Sequence, residues 1–437
     1  MKVYYSTFGC KVNQYETENI REAMELRGHI ETSLPVEADV CIVNTCTVTA
    51  QADSKCRQAL NRLRRESPDC VLVCAGCMTQ ALNLAELPEC DIIVGSHNKQ
   101  DIPDLIDVFL TDRRRIVKIT EQAACAELRE MHNSGTGDKT RAYIKIQDGC
   151  EMNCTYCIIP KARGRIRSKP LELIKREAAA LIAAGHREII LTGINLCCYG
   201  RERGFNGNSR LIDAVEAVCG LGSGHRVRLS SLEPELISES DIARFAALDN
   251  FCRHFHLSLQ SGCDRTLAVM KRHYSTSEYT QLCTSLRSAM PDCTITTDLM
   301  VGFPGETDED HRTSMDFVRE IGFAQAHIFP YSARPGTPAA EMEQVDGAVK
   351  KRRAEEMKHL CTQLSEKHAA SLVGTIQRVL FEKERSPHYH SGHSAGYIEV
   401  RVPRSNNGTL RYQMLDVLIT VTEGAVCIGR LLRSDEI

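Results

Sequence analysis

Three cysteines fall within eight residues in Cys150-Glu-Met-Asn-Cys154-Thr-Tyr-Cys157, just after an alternating segment, Tyr143-Ile-Lys-Ile-Gln147. Thiolates at this spacing can wrap one corner of a four-iron–four-sulfur cube and leave the fourth iron without a protein ligand. An iron left open can hold a substrate or cofactor, as an open zinc position does. A structural zinc site would supply four ligands, usually in two pairs. A redox dithiol would use only Cys154 and Cys157 and leave Cys150 idle. The spacing therefore points first to a cluster.

The 437 residues around this loop suffice for two or three domains. A hydrophobic content of 42% allows a large core of the ordinary soluble kind. The start, Met1-Lys-Val-Tyr-Tyr-Ser6, lacks the apolar stretch of a signal peptide. No run reaches the roughly 20 apolar residues of a membrane helix. Without a secretory signal, 21 cysteines read as metal ligands and small buried side chains, so a reducing, cytoplasmic location is expected. A net charge of −3 gives no global attraction to nucleic acid, and any such binding must come from local patches.

Along the first hundred residues, strand-like patterns at 2–8, 40–44, 70–75 and 91–95 alternate with helical ones at 16–27, 50–65 and 99–111. That order predicts an open parallel α/β domain. Cys10, Cys46 and Cys77 each follow a strand's carboxyl end, where open α/β sheets gather their ligand sites. Three adjacent loops would bring these thiols together, which suits a second three-cysteine cluster. Cys41, Cys70 and Cys74 lie inside strands and read as core residues. Cys74 and Cys77 also form a Cys-x2-Cys pair, open to reading as a redox dithiol.

Periodicity fades over 126–140, which reads as a linker through Asn133-Ser-Gly-Thr-Gly-Asp-Lys139. Six strands follow at 143–147, 188–192, 226–231, 254–260, 294–301 and 325–330, with helical patterns between them. Six βα units are fewer than the eight of a closed barrel, so an open (β/α)6 partial barrel is expected. Its strand ends carry Gly193 and Asn195, Ser231 and Glu233, Ser258 and Gln260. Taken singly, these are ordinary turn glycines and capping serines; as a set they follow successive strands. Lys161, Arg163, Arg165, Arg167 and Lys169 form a basic run beside the cluster loop, either a phosphate-binding patch or a solvated loop. From 372 to 437, short strands at 375–382, 397–402, 415–422 and 425–432 predict a small β-barrel. His388, His390 and His393 between them suit a metal site less well than a polar loop.

The Cys-x3-Cys-x2-Cys loop resembles that of radical S-adenosylmethionine enzymes. Gly9-Cys10-Lys-Val-Asn-Gln-Tyr15-Glu16, Asn44-Thr-Cys46-Thr-Val48 and Gly76-Cys77-Met-Thr-Gln80 resemble the amino-terminal domain of the methylthiotransferases. The resemblance implies a domain at 1–125 whose Cys10, Cys46 and Cys77 hold an auxiliary four-iron–four-sulfur cluster. It implies a radical domain at 141–371, with Cys150, Cys154 and Cys157 on the catalytic cluster. S-adenosylmethionine would then be held by Gly193, Asn195, Ser231, Glu233, Ser258 and Gln260. Gly374, the run Ser391–Tyr397 and Gly429-Arg-Leu431 look like the RNA-binding TRAM module, assigned to 372–437.

In that family S-adenosylmethionine is cleaved to a 5′-deoxyadenosyl radical, and sulfur from the auxiliary cluster and a methyl group enter the substrate. The resemblance implies tRNA as partner, contacted by Lys161, Arg163, Arg165 and Arg167. It also implies a single-electron donor such as a flavodoxin or ferredoxin, a sulfur donor and no membrane. The run at 9–16, Ser168, Pro330-Tyr331-Ser332 and Arg334-Pro-Gly336-Thr337 are most similar to enzymes acting on N6-threonylcarbamoyladenosine at the 3′ side of the anticodon. The alternatives are methylthiolation of a ribosomal protein or of another modified adenosine, and a non-catalytic iron–sulfur RNA-binding sensor.

Overall fold

The computed structural model describes residues 1–121, 128, 140–202, 205, 209–383, 386–404 and 408–432. The linker expected over 126–140 lies, apart from Leu128 and Thr140, outside the described residues. In the amino-terminal domain the strands lie in the order Ile30–Glu31, Lys2–Thr7, Val40–Thr45, Val71–Gly76, Ile92–Val94, Ile116–Lys118, all parallel. Helices Lys11–Glu25 and Ile102–Asp112 cover one face and Ala50–Glu66 the other. Both faces are thus dry, which is why Val40–Thr45 and Val71–Gly76 are buried at every residue and mostly apolar, the polar Asn44 and Thr45 standing only at the end of the first. Cys41, Cys70 and Cys74 pack in this core, as their place inside the strands predicts. The two short edge strands carry too few residues to show a period.

Six βα units follow, all parallel, from Arg141–Lys145 through Glu188–Thr192 and Arg226–Leu229 to His254–Leu257, Thr294–Val301 and Gln325–Pro330. A break at Ser230 divides the third strand, and the bridge Val227–Phe251 carries the sheet across it. The concave face is polar toward its base. Glu188, fully buried, accepts from Arg226 Nε (2.5 Å) and Arg228 Nε (3.0 Å) and forms an ion pair with Arg141 at 3.0 Å.

Those arginines also attach the carboxyl-terminal domain. Arg226 donates to the His393 carbonyl (3.0 Å) and Arg228 to those of Ser394 (3.1 Å) and Ala395 (2.9 Å). This domain is a closed barrel in the order Ile376–Phe381, Tyr389–Ser394, Glu399–Pro403, Val426–Leu431, Met414–Glu423. The polar loop expected around the histidines is in fact the strand Tyr389–Ser394. His390 is buried there, and His393 pairs with Glu382 at 2.7 Å. Tyr397 projects from the next turn into the base of the open barrel. Its ring meets the guanidiniums of Arg228 (4.9 Å) and Arg141 (5.2 Å) and stacks on His254.

The first two domains are joined by one carboxylate. Glu16, in the helix after Cys10, accepts from Lys145 Nζ (2.8 Å) and from Arg163 Nη1 (2.5 Å) and Nη2 (3.1 Å), and pairs with Lys99. Burial alone would raise its pKa, but Arg163, Lys145 and Lys99 hold it well below the usual carboxylate range. A depressed carboxyl stabilises above its unfolded pKa of about 4.3, and that contribution is lost as pH falls through the folded value. The interface is expected to keep its full stability from pH 7 to about pH 4.5 and to weaken progressively as pH falls further toward the much lower folded value. Glu16→Gln, which strands the cations, is expected to cost about 3–5 kcal/mol at neutral pH. Hydrogen exchange of helices Lys11–Glu25 and Ile159–Arg163 reads this; parental protection in the variant would refute it.

Candidate active site between two cysteine triads

Each cysteine of the first triad follows a strand of the amino-terminal sheet, and two glycines let the loops converge. Gly9 has φ of +102°, and a Cβ there would meet Cys46 Cβ at 2.9 Å. Gly76 has φ of +118°, and its Cβ would strike the Thr45 carbonyl at 2.6 Å. Any larger residue would push the Cys10, Cys46 and Cys77 loops apart. Burial pushes the Cys46 thiol up to about 12, with Cys77 and Cys10 close enough to add to the effect. Arg163 Nε donates to Cys77 Sγ at 3.2 Å.

The second triad lies on the loop after strand Arg141–Lys145. A two-residue antiparallel ladder, Gln147–Asp148 with Arg167–Ser168, closes this loop. Burial pushes the Cys157 thiol up to about 12, with Cys154 and Cys150 adding to it. Arg272 Nη1 donates to Cys154 Sγ at 3.4 Å, and its Nη2 reaches the Ser258 carbonyl at 3.0 Å and Glu233. Asn195 Nδ2 faces Cys150 Sγ at 3.9 Å, and Asn195 Oδ1 is buried without a partner. Among the described residues, no three Cys, His, Asp or Glu side chains gather as a single-ion site. A four-iron cube is larger than an ion, so its thiolates stand farther apart.

A cavity of about 220 Å³ lies beside Cys157, against Val48 and Thr49 of the segment that follows Cys46. Thr49, just after Cys46, lines one side, and Cys157 with the strand-end residues Gln260, Asp298, Phe329 and Ser332 lines the other. Ser332 Oγ accepts from the Ala50 amide (3.0 Å), and Arg334 donates to Thr47 (2.8 Å) and Asp53 (2.5 Å), which clamps this edge. Asp298 lies 3.3 Å from His256 Nε2 on the neighbouring strand.

Residues 144–318 match the Radical SAM superfamily, and residues 2–95 match the Uncharacterized protein family UPF0004. The chain is 35% identical to the Bacillus subtilis threonylcarbamoyladenosine tRNA methylthiotransferase MtaB over 91% of its length and 89% of the relative's. It is 37% identical to the Thermotoga maritima protein of that name, over 91% and 90% of the two chains. It is also 37% identical to the tRNA-2-methylthio-N(6)-dimethylallyladenosine synthase of Pelotomaculum thermopropionicum, over 86% of each. This chain belongs to the radical S-adenosylmethionine tRNA methylthiotransferases. In fold it is similar to the radical S-adenosylmethionine methyltransferase TsrM of Kitasatospora setae, with a TM-score of 0.57 at 14% identity, covering 89% of this chain and 77% of that one. The family's cofactors are S-adenosylmethionine and two four-iron–four-sulfur clusters.

The donor sets of the methylthiotransferase fit these clusters. Each triad offers three thiols, and in each a buried guanidinium already donates to one sulfur. Of the other expected residues, Ser231 is exposed, Glu233 is paired with Arg272, and Gln260 lines the cavity with φ of +66°. The space left by Gly193 is filled by Gln147, whose Oε1 lies 2.8 Å from where a Cβ would be and accepts from the Asn195 amide at 2.8 Å. Gly193 thus gives its space to a side chain of the protein. Two of the expected RNA contacts are also corrected. Arg163 and Arg167 are 0% and 2% exposed and lie among Glu16, Asp148 and His97, while Lys161 and Arg165 face solvent. Arg272 escaped the sequence analysis because no spacing ties it to the cysteines, and Gln147 and Arg334 entered it only within longer runs, with no role of their own.

Only a thiolate attacks an alkylating agent. In the cluster-free methylthiotransferase, alkylation of Cys46 and Cys157 is expected to rise about tenfold per pH unit from about pH 7 to 10. Iodoacetamide labelling followed by peptide mass spectrometry measures this, and a plateau near the ordinary thiol value of about 8.5 would refute it.

Proposed function

We propose that this methylthiotransferase acts on N6-threonylcarbamoyladenosine beside the anticodon of tRNA, inserting sulfur and a methyl group at C2. The choice of substrate is supported by three polar side chains set in the otherwise largely apolar wall of the cavity. Gln260, Asp298 and Ser332 line it, and His256 stands behind Asp298. Amide, hydroxyl and carboxylate groups of a threonylcarbamoyl substituent can pair with these three side chains, to which a dimethylallyl group offers no polar partner. The run at 9–16 supports the same branch.

When bound, a reduced cluster with S-adenosylmethionine supplies a carbon-centred radical, and the second cluster supplies the sulfur. Cys150, Cys154 and Cys157 hold the first, with Arg272 and Asn195 directing N–H groups at its thiolates. Asn195, Ser231, Glu233, Ser258 and Gln260 orient S-adenosylmethionine at the strand ends, above Gly193. Cys10, Cys46 and Cys77 hold the second cluster across the cavity. Phe329, Tyr156 and Met300 wall that cavity against water. A single-electron donor such as a flavodoxin or ferredoxin and a sulfur donor complete the cycle in the cytoplasm. No helix among the described residues is long and apolar enough to cross a membrane.

Mass spectrometry of tRNA nucleosides from cells with and without the gene tests the substrate. Loss of the methylthio form with accumulation of its threonylcarbamoyl precursor is expected. Loss of a methylthio dimethylallyl form would move the enzyme to the other branch, and unchanged tRNA would redirect the search to ribosomal protein. Cys154→Ala is expected to abolish 5′-deoxyadenosine formation, whereas Cys46→Ala spares it and stops sulfur insertion. Exposed Lys161 and Arg165 are the cations of the basic run still free to meet phosphates. Replacing both with Gln is expected to lower the salt slope of tRNA binding by about 2, since each phosphate left unneutralised lowers it by about 1. An unchanged slope would make them solvated residues.

A further inference from the structure

Arg163 ends the helix Ile159–Arg163 that follows Cys157, so it belongs to the radical domain, yet its partners lie mostly in the other domain. Its side chain is fully buried, and all three guanidinium nitrogens are used. Nε donates to Cys77 Sγ (3.2 Å). Nη2 donates to Asn13 Oδ1 (2.6 Å) and Glu16 Oε2 (3.1 Å), and Nη1 to Glu16 Oε1 (2.5 Å) and Asp148 Oδ2 (3.4 Å). Asn13 extends this network, because its Nδ2 donates to the carbonyls of Phe8 (2.6 Å) and Thr45 (3.0 Å). Phe8 precedes Cys10 by two residues, and Thr45 adjoins Cys46. One guanidinium thus reaches Cys77 directly and the other two cysteine loops through one amide.

We infer that Arg163 is a positioning residue for the auxiliary cluster: it sets the register of the Cys10, Cys46 and Cys77 loops from the radical domain and raises that cluster's reduction potential. The inference rests on the reading that these cysteines hold a cluster. A hydrogen bond to a ligand sulfur and a nearby positive charge both favour the more negative, reduced state. Lysine keeps the charge but cannot span the fork. It must give up either Cys77 or the Asn13–Glu16 pair.

The test uses the full chain carrying Cys150→Ala, Cys154→Ala and Cys157→Ala, so that only the auxiliary cluster contributes signal. After anaerobic reconstitution, iron and sulfide are counted and the cluster is titrated by electron paramagnetic resonance in this parent, in R163K and in R163M. Both variants are expected to titrate at lower potential, with reduction about tenfold less favourable, or about 59 mV for one electron. Loss of auxiliary iron at unchanged helix content in both variants would equally support the positioning role. Full iron at the parent's potential in both would overturn it and leave Arg163 as a domain tie alone. Should R163M fail to fold, R163K decides, since it keeps a cation beside Glu16 and Asp148. A parent that binds no iron would overturn the auxiliary-cluster reading itself, and the inference with it.

Discussion

A carboxylate taken out of water is costly unless cations and hydrogen bonds replace its hydration. Glu16 meets that condition only when two domains meet. Lys99 comes from its own domain, whereas Lys145 and Arg163 come from either side of the loop that carries Cys150, Cys154 and Cys157. Separating the domains would leave one buried anion and several cations without partners. The cavity beside Cys157 opens at the same junction of the two domains. Its two walls come from different domains, and the same residues that remove the cost of burial hold those walls in register.

The same device recurs at the other joints. Arg334 reaches Thr47 and Asp53 across the cavity's far edge, and Arg226 and Arg228 reach from Glu188 to carbonyls of the terminal barrel. In each case a planar guanidinium serves two partners at once, which a lysine does not do with equal geometry. Joints made this way are directional, whereas apolar contacts tolerate sliding. That suits an enzyme whose two cofactor sites sit in separate domains and must face one another across a fixed gap.

The convergence of the Cys10, Cys46 and Cys77 loops was legible because a loop after a parallel strand ends at the same edge as its neighbours' loops, whereas Cys150, Cys154 and Cys157 stand within eight residues of a single loop. The βα alternation was legible for a similar reason, since buried parallel strands read as continuous apolar runs. The basic run at 161–169 was not. Lys161 and Arg165 point to solvent while Arg163, Arg167 and Lys169 are buried, and composition does not distinguish the two, because the deciding carboxylates lie elsewhere in the chain. Glu16 is 147 residues from Arg163, and no local period encodes that pairing. The strand Tyr389–Ser394 was hidden for a different reason: its inward residues include His390 and Ser394, polar side chains that disguise the alternation.

The two triads share one feature and differ in another. Each has a guanidinium donating to one thiol, Arg272 to Cys154 and Arg163 to Cys77. Arg272 is balanced by Glu233 within the same site. Arg163 belongs to a buried group in which Lys99, Lys145 and Arg167 join it against only Glu16 and Asp148. A buried surplus of positive charge stabilises the nearest anion, because little water is present to screen it. Beside those two carboxylates, Arg163 itself donates to Cys77 Sγ. The salt-bridge network that fastens the domains therefore also gathers several cations beside Cys77, and Arg163 is the member that touches its sulfur.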